Sequence, residues 1–297
     1  MIPSPSPTPE SSIDSIRWEA LQAGIAMHSL RRAFDLFRQN GLEPVLIKGW
    51  AAAINYPQPS HRSYTDIDLA FSIADYERAE AVRRAGESKG LDLDLHKELK
   101  HLDTADFQDL FENSLLVDSA GLMVRTLRPE DHLRVLAVHW LIDAGWFKDR
   151  LWDIYYAVEN RTVDFDWDRC LDLVSPRRRR WIICVIGLAH SRLGLYIDDL
   201  PFADEAKKLP KWFIRAINRE WNSDVRLLPL HRFIGSPSEF WQQVKKRIPP
   251  NPIHATLDME GSFDAPTRLH YQIGTFFKRA VPSIQRFATL MSLKKDR

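Results

Sequence analysis

The period of the apolar residues changes once along the chain, near Pro129, and no other feature limits the fold as tightly. Before that point, short apolar runs with two-residue alternation are set between helical segments. After it, Leu133, Leu136, Ala137, Trp140, Leu141 and Ala144 recur at the three- and four-residue steps of a helix, closed by Gly145. The expectation is an α+β protein: a tip over residues 1–12, a small mixed-sheet domain with a leading helix over residues 13–127, and an all-helical domain over residues 128–297. A chain of 297 residues is long enough to give each domain its own core.

In the first part, Ile13, Ile16, Ala20, Ala23, Met27, Leu30, Phe34 and Phe37 mark one face of a helix that Asn40 and Gly41 end. Val45 to Ile47 predict a short strand running into Lys48 and Gly49, and Ile67 to Phe71 a second. A helix near residues 75–88 leads to a third strand, Leu91 to Leu95, and a hairpin about Gly121 follows. In the second part, Leu151, Ile154, Tyr155 and Val158 predict one more helix, and Ser175 with Pro176 starts another through Trp181, Cys184, Val185 and Leu188. The remainder reads as helical apart from a Pro-rich, acidic loop around Pro249 to Ala265.

Forty-one basic residues against forty acidic ones leave a formal charge of +1, so no bulk field draws the chain toward nucleic acid or a membrane. Cys170 and Cys184 have neither zinc nor disulfide spacing and read as buried thiols. The longest strongly apolar run, Trp181 to Ala189, is about half the roughly 20 residues that a bilayer-spanning helix needs. Met1 to Ser12 carries Pro and Ser where a signal peptide has an apolar core, so the expectation is a cytoplasmic protein with a disordered tip.

Asp66 and Asp68 stand one residue apart at the head of the second strand, so their carboxylates share a face and suit hard divalent cations. A third carboxylate completes such a site. In the third strand Asp92, Asp94 and His96 alternate with leucines and also share a face, which strand pairing can bring beside the Asp pair. Asp94 and Asp92 both stand as candidates for the third ligand; His96 is a secondary candidate for orienting a substrate or moving a proton. At the end of the first strand, Lys48, Gly49 and Trp50 form a turn where bare backbone N–H groups can approach a phosphate. Arg62, four residues before Asp66, adds a fixed positive charge suited to a triphosphate.

Lys48-Gly49-Trp50-Ala51 followed by Arg62-Ser63-Tyr64-Thr65-Asp66-Ile67-Asp68 resembles the DNA polymerase β-type nucleotidyltransferase superfamily. Within it, Leu46-Ile47-Lys48-Gly49, Tyr56, Arg62 and the Asp pair are similar to the uncharacterised nucleotidyltransferase family, and antibiotic adenylyltransferases of the lincosamide and aminoglycoside kind carry a comparable run. The likeness continues through Asp94-Leu95-His96, Leu127 to Leu133 and Arg150 to Ile154. It implies a nucleotidyltransferase domain in which Gly49 lies at the nucleotide phosphates and Asp66, Asp68 and Asp94 hold two Mg²⁺ ions. The chain departs from the superfamily at the phosphate loop, where Lys48-Gly49-Trp50 stands in place of Gly-Ser or Gly-Gly. The reaction implied is transfer of a nucleoside monophosphate, AMP from ATP first, onto a hydroxyl or phosphate, with pyrophosphate released. A small-molecule or sugar-type acceptor ranks ahead of a tRNA or protein target of the toxin-type nucleotidyltransferases. A catalytically silent nucleotide-binding regulator is the alternative from another class.

Other charged residues have plainer explanations. Asp149, Arg150 and Asp153 face away from the apolar stripe of their helix, toward solvent or a cleft; the resemblance adds Lys148, Arg150 and Asp153 to the nucleotide-binding candidates. His132 and His139 lie seven residues apart, too far to share a metal, and fit packing. Arg177 to Arg180 reads as a solvated run rather than an RNA contact. Phe276, Phe277 and Phe287 with nearby Lys278, Arg279, Arg286, Lys294 and Lys295 suggest a helix interrupted by Pro282 that docks on the helical domain rather than on a membrane.

Overall fold

The computed structural model describes residues 13–64, 66–85, 88–228, 230–233 and 235–279. The expected disordered tip, Thr65, Pro282, Arg286, Phe287, Lys294 and Lys295 lie outside them. The chain divides into two compact units, Met1–His139 with Asp149–Lys207 and Trp140–Lys148 with Lys208–Arg297.

In the first unit, helix α1 (Ile13–Gln39) leads to β1 (Val45–Leu46), the single turn α2 (Trp50–Ala53), β2 (Ile67–Phe71), α3 (Ile73–Arg84), β3 (Leu93–Lys97), α4 (Phe107–Glu112), β4 (Leu115–Ser119) and β5 (Leu122–Thr126). The strands form one mixed sheet in the order β3-β2-β1-β5-β4. β1 and β2 are antiparallel, as are β4 and β5, whereas β2–β3 and β1–β5 are parallel. A parallel neighbour requires a crossover, and α3 supplies it between β2 and β3. Ser72 starts that helix, its hydroxyl accepting the Asp75 N–H at 3.1 Å.

Every residue of β2 is buried, as expected of a strand flanked on both sides within the sheet and covered on its faces. Leu69 and Phe71 join Phe34 and Phe37 of α1 in the main core, with the Phe37 and Phe71 rings 4.9 Å apart. The stretch before β4 contains α4, a short helix that was too brief to register as a period in the sequence.

Helix α5 (Pro129–Ile142) follows the sheet, and the division between the units falls inside it, after His139. Helices α6 (Leu151–Glu159), α7 (Trp167–Asp172), α8 (Pro176–Leu193) and α9 (Ala203–Lys207) belong with the sheet. The Ser175 hydroxyl caps α8, and Gly194 ends it in the left-handed conformation at φ +78°. The apolar run from Trp181 to Ala189 is buried inside α8, and both cysteines are free and buried. Among the described residues no helix is long and apolar enough to cross a membrane.

The second unit holds α10 (Lys211–Trp221), α11 (Pro237–Arg247), α12 (Pro252–Asp258) and a helical stretch at 269–279. Helix α12 lies inside the segment expected to be a loop. Its prolines are start signals: Pro252 opens the first turn and Asn251 Oδ1 accepts the Ile253 N–H at 2.8 Å. In the C-terminal stretch Phe276 and Phe277 remain exposed, while Lys278 Nζ donates to the Asp258 carbonyl at 3.0 Å.

Leu69 sits beside Asp68 in the strand and has no exposed surface. Leu69→Ala is expected to cost about 2–5 kcal/mol through lost burial and an unfilled cavity. Leu116→Ala, at a position half exposed on the edge strand β4, should stay within roughly 0.5 kcal/mol of wild type. Urea unfolding of the two variants measures both, and equal costs would contradict the placement of the core.

Candidate metal centre

Strand register assembles the site. β2 and β3 align Asp68 with Asp94 and Ala70 with His96, so Asp68, Asp94 and His96 share one face of the sheet. His96 Nε2 lies 3.1 Å from Asp68 Oδ1 and 3.4 Å from Asp94 Oδ2. Among the described residues, these three form the group of acidic, His or Cys side chains able to hold a metal ion, one ligand atom from each lying within 4.8 Å of the others. Asp66, half-buried just ahead of β2, and Asp92, exposed just ahead of β3, are not in that group. The Asp92 carbonyl instead accepts the Ile67 N–H at 2.8 Å, which holds the two strands together at their entry.

Lys48 enters from the end of β1. The Ile47 N–H donates to the Asp68 carbonyl at 3.1 Å, so β1 and β2 are tied at the site itself. One residue later the chain turns at Gly49, with φ +61° and ψ −115°, a conformation that only glycine adopts without strain. A Cβ there would meet the Tyr64 ring at an ordinary 3.4 Å, so the requirement is conformational, not one of space. The turn delivers Lys48 Nζ to 2.6 Å from Asp68 Oδ1 and sends the buried Trp50 into α2.

The charges adjust to one another. Burial alone would raise the Asp68 pKa, but the hydrogen bond from His96 and the charge of Lys48 outweigh it and hold the carboxyl below its ordinary range. His96 likewise lowers the Asp94 pKa. Burial would lower the His96 pKa, and its hydrogen bonds to Asp68 and Asp94 instead raise it. His101 stacks on His96 with ring centroids 5.4 Å apart. On α5, His139 Nε2 lies 3.2 Å from Lys48 Nζ, and burial with the charge of Lys48 pushes its pKa down to about 4. The neutral imidazole therefore accepts from the ammonium. His132, two turns earlier, is pushed down to about 4 by burial and donates from Nε2 to the Ile47 carbonyl at 3.1 Å.

The remaining candidates separate into two further places. Arg62 is buried, with Nε and Nη2 donating to the two carboxylate oxygens of Asp153 at 3.1 and 2.8 Å and Nη1 donating to the Ser63 carbonyl. The Tyr56 hydroxyl donates to Asp153 Oδ1 at 2.6 Å, and Arg150 Nη1 donates to the same Ser63 carbonyl at 2.9 Å. These groups clasp the loop between α2 and β2 onto α6. Lys148 belongs to the second unit, its ammonium 5.8 Å from the centre of the Trp221 ring. The arginine run expected to be solvated is engaged instead: Arg178 is buried and Arg179 and Arg180 both bind Glu205, since α8 begins against α9.

Three partners escaped the sequence reading: His139 for Lys48, Tyr56 for Asp153, and His101 for His96. The seven-residue spacing of His132 and His139 was the available signal. It places both rings on one side of α5, where each meets consecutive residues at the end of β1.

Residues 5–86 match a family model described as Uncharacterised nucleotidyltransferase. The matched segment carries Lys48, Gly49, Arg62, Asp66 and Asp68 and ends before Asp94, and it supports a nucleotidyltransferase-type family and nucleotidyl transfer in general terms. No curated protein and no solved structure matches the chain.

Asp153→Ala strands a buried guanidinium and Arg62→Ala a buried carboxylate, so each should destabilise by about 3–5 kcal/mol, with the double variant losing less than the sum of the two. A double-mutant cycle by urea unfolding reads this, and strict additivity would rule the clasp out. Acid should weaken the fold in a defined window. The pKa of His132 and of His139 falls from 6.5 to about 4 on folding, so each contributes roughly 3 kcal/mol that is present above pH 6.5 and lost as pH falls toward 4. His96, with its raised pKa, acts in the opposite sense. The stability loss between pH 6.5 and 5 should therefore be shallower in His139→Gln than in wild type, whereas the stability that His96 contributes is lost as pH rises above 6.5, and that loss should be absent in His96→Gln.

Proposed function

We propose, from a family match that points to nucleotidyl transfer, that this chain moves a nucleoside monophosphate, AMP from ATP in the first instance, onto a hydroxyl or phosphate of a small-molecule or sugar-type acceptor, using two Mg²⁺ ions. The observation that carries this is the pairing of Asp68 with Asp94 on adjacent strands, next to a glycine turn that presents Lys48 to the same place. Two carboxylates and an imidazole with ligand atoms within 4.8 Å are a donor set that fits a divalent cation, and Asp66 stands at the head of the same strand. When bound, the cations neutralise the triphosphate and favour attack at the α-phosphate.

The side chains have separate duties. Asp68 and Asp94, with Asp66, hold the cations, and Asp94 assists in taking the proton from an attacking hydroxyl. Lys48 offers a charged donor to phosphate oxygens, and the neutral His139 keeps that donor in place without adding a competing charge. The Gly49 turn lets backbone come close to a phosphate. Arg62 serves through Asp153: their clasp fixes the loop that leads into Asp66 and Asp68, a positioning role in place of direct phosphate contact. Arg150 reinforces the same loop at the Ser63 carbonyl.

A small acceptor is favoured over tRNA because three arginines of the run on α8 are buried or paired with Glu205 and offer little to a phosphate backbone. The set Asp68, Asp94, His96 and Lys48 is assembled within hydrogen-bonding distances, which favours an enzyme over a silent nucleotide-binding regulator.

Incubation of a lysate of the source cell with α-labelled ATP, Mg²⁺ and the purified chain should move label into the metabolite fraction. Asp68→Asn and Asp94→Asn should each reduce transfer by at least about a hundredfold, within the range that charge stabilisation contributes to catalysis. Label in RNA or protein would redirect the acceptor class. Transfer that persists in Asp68→Asn would sink the assignment, and tight nucleotide binding with no transfer would favour the regulator.

A further inference from the structure

The candidate metal centre contains a nitrogen ligand, and this sets a preference among cations that the carboxylates alone would not. His96 stands two residues after Asp94 on β3 and projects to the same side, with only a tenth of its side chain exposed. Its Nε2 lies between two carboxylates from different strands, 3.1 Å from Asp68 Oδ1 and 3.4 Å from Asp94 Oδ2. Two ligand atoms bound at right angles to one ion, each at about 2.1 Å, lie about 3.0 Å apart. The two His96 separations are close to that spacing, and all three ligand atoms lie within 4.8 Å of one another. The ring is also held in orientation, since His101 stacks against it with an angle of 7° between the planes. Asp66 is not part of this cluster.

We infer that one of the cation seats of this chain is formed by Asp68, Asp94 and His96, and that it takes a transition-metal divalent ion such as Mn²⁺ in preference to Mg²⁺. The inference rests on the nucleotidyl-transfer reading and changes it in one respect, replacing one of the two Mg²⁺ ions. The physical reason is the donor set: Mg²⁺ is a hard ion that keeps oxygen ligands and water, whereas imidazole suits first-row ions such as Fe²⁺, Ni²⁺ and Zn²⁺, and affinity for a site with a nitrogen donor rises from Mn²⁺ upward along that series. Lys48 contacts the same Asp68 oxygen at 2.6 Å, so an ion in this seat competes with the ammonium for that oxygen, and a strongly held cation competes better than a weakly held one.

The test uses Mn²⁺ alone, added to the full chain and followed by its paramagnetic resonance signal. In wild type the pulsed echo of bound Mn²⁺ should carry a nitrogen modulation, and Mg²⁺ should displace the ion only in large excess. The modulation should vanish in His96→Gln and persist in His101→Gln. His96→Gln should also weaken Mn²⁺ binding by at least the roughly tenfold lost when even an outer-sphere partner of a ligand is removed. Bound Mn²⁺ without nitrogen modulation in wild type overturns the assignment of His96, and that measurement stands whether or not the variants fold. Asp68→Asn separates this inference from the reading beneath it. Loss of Mn²⁺ binding in Asp68→Asn together with unchanged binding in His96→Gln removes only the nitrogen ligand. Binding untouched in Asp68→Asn overturns the site itself.

Discussion

Asp68 is a carboxylate buried on β2, a strand flanked on both sides in the sheet, and burying such a charge is tolerable only when it is neutralised and hydrogen-bonded where it lies. Lys48 does this from β1 and His96 from β3, at 2.6 and 3.1 Å from the same oxygen. The three strands are thereby joined at one point by charge as well as by their backbone ladders. The glycine turn after Lys48, the register that opposes Asp94 to Asp68, and the two imidazoles of α5 that grip the end of β1 are all arranged around that carboxylate. Under the proposed function, a nucleotide and its cations would meet the same charges that neutralise Asp68.

A second ionic group supports the first from a distance in the chain. Arg62 and Asp153 are 91 residues apart in sequence and form a buried two-pronged pair, with Tyr56 on the same carboxylate. A flexible loop between α2 and β2 would let Asp66 and Asp68 drift, and a site for phosphoryl chemistry depends on positioning. Closing that loop onto α6 gives it a fixed path. Another buried group, Arg134 with Asp103 and Asp131, anchors α5 in a similar way. Ion pairs between segments distant in sequence thus tie α6 to the loop before β2 and α5 to the loop after β3.

Much of this was legible from the residues in order. The apolar spacing of α1, the two-residue alternation of β2 and β3, the Gly121 hairpin, the Ser175 cap and the change of period at Pro129 are local signals, and each element appears within a few residues of its expected place. The face shared by Asp94 and His96 followed from alternation alone. Helix α12 was obscured because prolines that open a helix also mark loops. The seven-residue spacing of His132 and His139 forbids a shared metal and carries no information about a lysine arriving at His139 from another strand.

The sequence by itself determined which chemistry is present: paired acidic residues on strands, a glycine turn, a lysine and an arginine nearby. Their order along the chain and their periodicity were sufficient for that, because a strand places every second residue on one side whatever surrounds it. Only the tertiary structure decided which of those residues meet. It brought His96 to Asp68 and Asp94, left Asp66 and Asp92 outside that cluster, paired Arg62 with Asp153, and put Lys148 in a different unit. The reason is physical: register between strands and pairing of buried charges are interactions between segments remote in sequence, and local spacing carries no information about which buried charge will find which partner.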